Sequence, residues 1–410
     1  MTHRFAAIAL PATIARSLPF AWPVVAIATA LLAALPALAD PAPQVPADYA
    51  SLAGKKAFAI AIEGDRRASG GSHGESSDLA ASKAALDACD AERARLAMTA
   101  HCEVIALDDE SIDTAAALEA RVPKSRHPLF LWRYDAPHAH VYLAGSMHVM
   151  KATLLPLPQQ FEDAFAESDH IAVEVNVAAV SAVDLQQQLL SAALLPAGQS
   201  LDTVLESDTL KKLDAYLADQ GLSRLLVARL KPALIATQLS ADRFAALGYV
   251  SDFGLDKHFI DRAGARPVLE LETVADQLAL LMSPPMDVQR DMLDATIDEM
   301  AESNAILSQM VVAWLAGDSE AMRALFDEQS PQTDAYRAFD KRMLDDRNVG
   351  MADKIQGYLA ASGTYFVLVG AAHVSGAGSI IDVLDRRGVK GKRIFSTDKL
   401  STDTSSTDHG

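Results

Sequence analysis

The chain has 410 residues, half of them hydrophobic, and a formal net charge of −18 at pH 7. That length suits one large domain or two ordinary ones, with enough apolar residues for a sizeable core. A chain this acidic repels phosphate backbones and anionic lipid surfaces, which argues against nucleic acid as a partner.

Residues 1–39 contain no Asp or Glu, and Arg4 and Arg16 precede the apolar run "PVVAIATALLAALPALA". The run ends in Ala37-Leu38-Ala39, followed by Asp40. A basic start, an apolar stretch and an A-x-A site predict a signal peptide cleaved after Ala39, hence a periplasmic or secreted protein. A retained membrane anchor is the rival; Pro36 and the shortness of the run against a ~20-residue span weigh against it. No later segment is apolar for long enough to span a bilayer, so no transmembrane segment is expected after signal removal.

Residues 40–55 are rich in Pro and Ala and predict a flexible leader. Residues 56–110 form a small α+β unit: "KAFAIAIEG" (56–64) reads as a strand, "RRASGGSHGES" (66–76) as a Gly/Ser turn region, 78–98 as a helix and "CEVIALDD" (102–109) as a second strand. Cys89 and Cys102 are the two cysteines. In an exported protein they predict a disulfide, contributing about 3 kcal/mol in the chain-entropy model. A thiol active site is the weaker reading, because there is no C-x-x-C. His73 and His101 have no partner at ligand spacing and read as surface histidines. Residues 111–126 read as a polar linker.

The main domain is expected over 127–396. "LFLWRYD" and "AHVYLAG" alternate like a hairpin with "APHA" as its turn. "HIAVEVNV" (170–177) is a strand, followed by a long helical middle in which Ser207 caps a helix ending near Gly221. "RPVLELETV" (266–274) is a strand embedded there; 286–317 reads as one or two helices and 334–362 as helical. "YFVLVG" (365–370), a helix at 377–387 and "GKRIFS" close the domain. Strands separated by long helices predict an α/β fold with a central, largely buried sheet surrounded by helices; mixed α+β is the alternative. Residues 397–410 are polar and low in complexity, and predict a disordered tail.

Two strands end alike. Gly145 closes "HVYLAG" and His148 follows; Gly370 closes "YFVLVG" and His373 follows. Ligands in open α/β sheets sit outside the carboxyl ends of strands, and two such strands side by side would bring the histidines together. Glu174 lies among residues that otherwise read as strand core, where a lone carboxylate is costly unless paired or coordinating a metal. Glu270 and Glu272 share one strand face, with Glu272 nearer the end. Two histidines and a carboxylate suit a divalent ion such as Zn, Mn, Co or Fe. The competing readings are structural: histidines that cap strand ends, a salt-bridged Glu174, a structural Glu272, and Arg347 as a solvated helix residue. His127, His138, His140, His170 and His258 read as structural or surface.

Taken together, "LFLWRYDAPHAHVYLAGSMHVMKATLLPLPQQFEDAFAESDHIAVEVNV", "DFGLDKHFIDRAGARPVLELETVADQL", "RN" at 347–348 and "FVLVGAAHVSGAGSIIDVLDRRG" resemble the TraB/PrgY/GumN family, which includes the Tiki proteins. The exported bacterial GumN-like subgroup looks most similar. The Tiki branch is described as metal-dependent proteases using both Gly-x-x-His motifs and a Glu. The resemblance therefore implies His148, Glu174 and His373 as metal ligands. It also matches Glu272 and Arg347 to family positions, for which acid/base work and stabilisation of negative charge are the expected roles. The function so implied is a metal-dependent hydrolase of the cell envelope, most plainly a peptidase with a peptide or protein substrate. The alternative is a non-catalytic accessory that binds a peptide, haem or a polysaccharide-assembly component.

Overall fold

The computed structural model describes residues 45–400 apart from 177–179, 283, 301, 329 and 332. The expected signal peptide, the first residues of the leader (40–44) and the end of the tail (401–410) lie outside the described residues.

The first sheet contains β1 (Lys55–Glu63), β2 (Arg66–Glu75), β3 (Glu103–Leu107) and β4 (Glu110–Ser111) in the antiparallel order β2-β1-β3-β4. The helix Asp78–Arg95 packs on it, its first turn capped by the Ser77 side chain. Segment 66–76, expected as a turn region, is instead the strand β2. Its small residues serve packing rather than turning. A Cβ on Gly70 would stand 2.2 Å from the Cys89 nitrogen and 2.4 Å from the Ala85 oxygen, so the helix backbone lies directly on the strand. Ser72 donates to the Ala81 carbonyl across the same contact at 2.7 Å. The Cys89–Cys102 disulfide is formed and ties this helix to the start of β3.

Two further expectations are corrected nearby. Within 111–126, the helix Ala115–Glu119 is capped by Thr114 and buries Ala115 and Leu118. Those two positions, three apart, make an apolar face that the polar composition of the segment hides. The leader is packed from residue 45 onward, with Tyr49 buried edge-on against Phe58.

The second sheet has the order β10-β5-β6-β9-β7-β8. Its strands are β5 (Pro128–Asp135), β6 (Ala139–Ser146), β7 (His170–Val173), β8 (Val268–Glu270), β9 (Gly363–Gly370) and β10 (Lys392–Phe395). The run β10-β5-β6 is antiparallel, whereas β6, β9, β7 and β8 are parallel. The fold is thus α/β, with an antiparallel edge on a parallel sheet. Val141–Ala144 and Phe366–Val369 are fully buried, as befits strands covered on both faces. The helices Ser303–Leu315 and Asp345–Ala360 pack on β5 and β6.

The expected middle is helical, with a second core in which Leu201, Leu213, Val288, Leu293, Tyr336 and Phe339 are completely buried. The helix expected at Ser207 starts there, with Glu206 rather than Ser207 as its cap, and ends at Asp219 before Gly221. Segment 286–317 is two helices, Met286–Glu299 and Ser303–Leu315; segment 334–362 is Asp334–Met343 and Asp345–Ala360.

The small N-terminal unit is joined to the rest by one continuous cluster of buried apolar residues that runs from Ala57 to the main sheet. Buried charges reinforce the joint. Arg243 pairs with Asp78 and Glu110 and donates to Ser303 Oγ at 2.9 Å. Residues 397–400, expected as part of the tail, are held: Asp398 pairs with Arg126, and its carbonyl accepts from Gln160 at 2.9 Å.

Candidate functional site

β6 and β9 are parallel neighbours in which Gly145 pairs with Val369 and Ser146 with Gly370. Both Gly-x-x-His segments therefore leave the sheet at the same level and the same end. Gly145 is required there because a Cβ would lie 2.6 Å from Val374 Cγ2 and 2.8 Å from Phe130 Cδ1. The short turn carrying His373, Ala371–Val374, thus sits on the end of the strand that carries His148. Trp314 Nε1 donates to the Gly145 carbonyl at 2.7 Å and locks that end.

Glu174 stands between the two histidines. β7 ends at Val173, so Glu174 is the first residue beyond the strand and is buried. Its Oε1 accepts from the Gly370 amide at 2.6 Å. His148 Nε2 is 3.8 Å from Glu174 Oε1, and His373 Nε2 is 3.7 Å from Glu174 Oε2. These separations exceed hydrogen-bond length.

Each imidazole is held from behind. His148 Nδ1 lies 2.8 Å from Asp256 Oδ2, which also accepts from Ser146 Oγ at 2.9 Å. His373 Nδ1 lies 2.6 Å from Asn348 Oδ1, and Asn348 Nδ2 donates to the Gly378 carbonyl at 2.9 Å. Asp256 opens the helix Leu255–Ile260, whose cap residue Gly254 would place a Cβ only 2.1 Å from the His148 carbonyl oxygen.

Glu272 lies just past the short strand β8, where its amide donates to the Glu174 carbonyl at 2.8 Å. Arg347 joins the two glutamates. Its Nη2 is 2.6 Å from Glu272 Oε2 and 2.7 Å from Glu174 Oε2, and its Nε is 2.9 Å from Glu272 Oε1. Gln277 donates to both carboxylates at 3.1 Å. Glu270, on the same predicted face, does not join this cluster; its carboxylate accepts from the Asn176 amide at 2.8 Å.

The site is strongly polarised. Burial would lower His148, but the Asp256 carboxylate, with Glu174, overcomes it and raises the imidazole to about 9. His373 goes the other way: burial, only partly opposed by Glu174, pushes it down to about 3. Glu174 is held far below the usual carboxylate range; burial opposes this, but His373, Arg347 and His148 outweigh it.

All five residues singled out from the sequence (His148, Glu174, Glu272, Arg347 and His373) meet at one sheet edge. Asp256, Asn348, Gln277 and Trp314 were missed. The signal for Asp256 and Asn348 was present in "GLD" and "RN"; their polar ends complete the two histidines from distant helices. Of the remaining histidines, His258 pairs with Glu162 at 2.8 Å and His140 with Asp135 at 2.6 Å, both away from the cluster.

Two imidazoles and one carboxylate match the donor chemistry of divalent transition ions. Two donors each about 2.1 Å from one ion stand at most about 4.2 Å apart, and both histidine–Glu174 separations fall inside that bound. Asp256, Glu174 and Glu272 outnumber the two positive groups, the Arg347 guanidinium and the His148 imidazolium, so the cluster keeps a negative excess. Among the described residues, however, no group of three or more His, Cys, Asp or Glu side chains already stands in the arrangement of a metal site.

The polar cluster lies beyond the carboxyl ends of the parallel strands of an α/β sheet, the place where ligands of open α/β sheets bind. The chain belongs to the TraB/PrgY/gumN family, whose model matches residues 130–393. It is similar to an uncharacterised protein of Treponema pallidum (strain Nichols), 21% identical over 267 residues that cover 62% of this chain and 80% of the relative. No solved structure matches the chain.

Proposed function

We propose that the protein is a metal-dependent hydrolase acting on peptide bonds. The observation that carries this reading is the convergence of His148 Nε2 and His373 Nε2 on opposite oxygens of Glu174. His148, Glu174 and His373 would hold a Zn, Mn or Co ion. When bound, such an ion lowers the pKa of water and polarises a carbonyl. Glu272 Oε1 is the acceptor for a proton released during attack. Arg347 orients Glu174 and Glu272 together and offers its positive charge to the negative charge that develops on a peptide carbonyl. Asp256 and Asn348 keep the imidazoles from rotating.

We also assign the protein to the periplasm or the exterior, through the signal peptide expected over residues 1–39. The Cys89–Cys102 disulfide suits that compartment, and no helix among the described residues is long and apolar enough to cross a membrane.

The test is hydrolysis of a peptide library by the purified chain before and after chelation. Chelation should abolish cleavage and Zn, Mn or Co restore it, with Glu272→Gln slowed by on the order of 10²–10⁴. Cleavage indifferent to chelators contradicts the reading. One observation favours a second reading: Arg347 already pairs with the Glu174 oxygen that faces His373. A purified chain that holds no metal and cleaves nothing would support this reading, a binding protein of the envelope.

A further inference from the structure

We propose that Asp256 and Asn348 are positioning residues that fix both motif histidines with the proton on Nδ1, so that each Nε2 is presented to Glu174. This inference rests on the reading of His148, Glu174 and His373 as metal ligands and extends it to residues from two distant helices.

The hydrogen-bond chemistry decides the assignment. Asn348 has one acceptor and one donor end. Its Nδ2 faces the Gly378 carbonyl at 2.9 Å, a group that only accepts. Asn348 Oδ1 is therefore the atom that faces His373 Nδ1 at 2.6 Å, and Nδ1 must donate. The carbonyl that sets this orientation is itself pinned. Gly378 has φ +77°, and a Cβ there would lie 2.8 Å from Asp345 Oδ1.

At the other strand end, Asp256 Oδ2 lies 2.8 Å from His148 Nδ1 and 2.9 Å from the Ser146 hydroxyl, which donates to it. A carboxylate only accepts, so Nδ1 again donates. The helix bearing Asp256 cannot drift from the imidazole. The Leu255 amide donates to the Met147 carbonyl at 3.1 Å, and Gly254 abuts the His148 backbone. Two unrelated devices, an amide oriented by a carbonyl and a carboxylate shared with a serine, thus impose the same ring orientation. Partners of this kind set the tautomer and basicity of metal-binding histidines, and their loss weakens metal affinity on the order of 10–100-fold.

The experiment uses the full chain, metal-free and labelled with nitrogen-15 in its histidines, at a pH above 9 so that the His148 ring carries a single proton. Imidazole nitrogen resonances are assigned with His148→Ala and His373→Ala. The expected result is a proton on Nδ1 of both rings, with Asn348→Leu releasing His373 to the Nε2-protonated form and Asn348→Asp preserving Nδ1–H. Calorimetric titration with Zn²⁺ or Mn²⁺ alone should show Asn348→Leu and Asp256→Asn binding on the order of 10–100-fold more weakly. Asn348→Asp should bind at least as well as wild type. A bare Nδ1 on either ring of the wild type overturns the proposal, whether or not any variant folds. So does unchanged affinity in a folded Asn348→Leu chain. If both Nδ1 atoms carry protons but neither ion binds, the positioning stands and the metal-ligand reading fails.

Discussion

The two Gly-x-x-His strand ends are alike in sequence and unlike in environment. His148 keeps 18% of its side chain exposed and is backed by a carboxylate; His373 keeps 3% and is backed by an amide. Asp256 and Glu174 overcome burial and lift His148 to about 9, whereas burial wins at His373 and pushes it to about 3. A motif on a strand end sets where a side chain emerges. What that side chain can do is set by partners that arrive from other elements, here the helices beginning at Leu255 and Asp345. The two ends become one site only through Glu174 and the arginine that orients it.

The sharpest way to break that pairing is to remove the shared counter-charge. Arg347→Leu leaves Glu174 and Glu272 without their common partner, and breaking a buried pair this way costs about 3–5 kcal/mol. Urea denaturation should show a loss of that size; a loss below about 1 kcal/mol, the value of a surface pair, would mean the arginine is not integral to the cluster. Next in size is Gly145→Ala, whose new methyl meets Val374 and Phe130. Overpacking of this kind costs about 1–3 kcal/mol. An unchanged midpoint would show that the His373 turn does not rest on the end of β6.

A third effect, visible only at alkaline pH, separates the strand ends. Only the His148 loop carries a buried lysine, Lys151, which donates to the Asp113 carbonyl at 2.6 Å. Burial lowers it from 10.5 to about 8, against the pull of Glu103 and Asp113. The unfolded chain therefore binds more protons between those values, and the lysine makes stability rise with pH across that window. The cost of the buried ammonium is fully present below pH 8 and relieved as pH climbs towards 10.5. Lys151→Met should flatten the stability curve over this range relative to wild type. Parallel curves would show that Lys151 is not buried as described.

Much of this was legible in the sequence, and unevenly so. Buried parallel strands announce themselves as apolar runs, which is why β6, β7 and β9 and the glycines at the ends of β6 and β9 could be read directly. Glu174 stood out because a carboxylate in such a run needs a reason. Asp256 and Asn348 did not, because each sits on an ordinary-looking helix and acquires its role from contacts far along the chain. β2 was hidden for a different reason. Its glycine and serine content imitates a turn, while the structure uses those small residues to seat a helix directly on the strand. The packed helix in 111–126 was masked by the charged residues around its two-residue apolar face.

The most direct measurement is the metal content of purified residues 40–410, by elemental mass spectrometry, for wild type beside the His148→Ala/His373→Ala double variant. Near-stoichiometric Zn, Mn or Co in the wild type, lost in a variant that still folds, is the predicted result. No metal in the wild type after incubation with all three ions, or equal metal in both proteins, would contradict it.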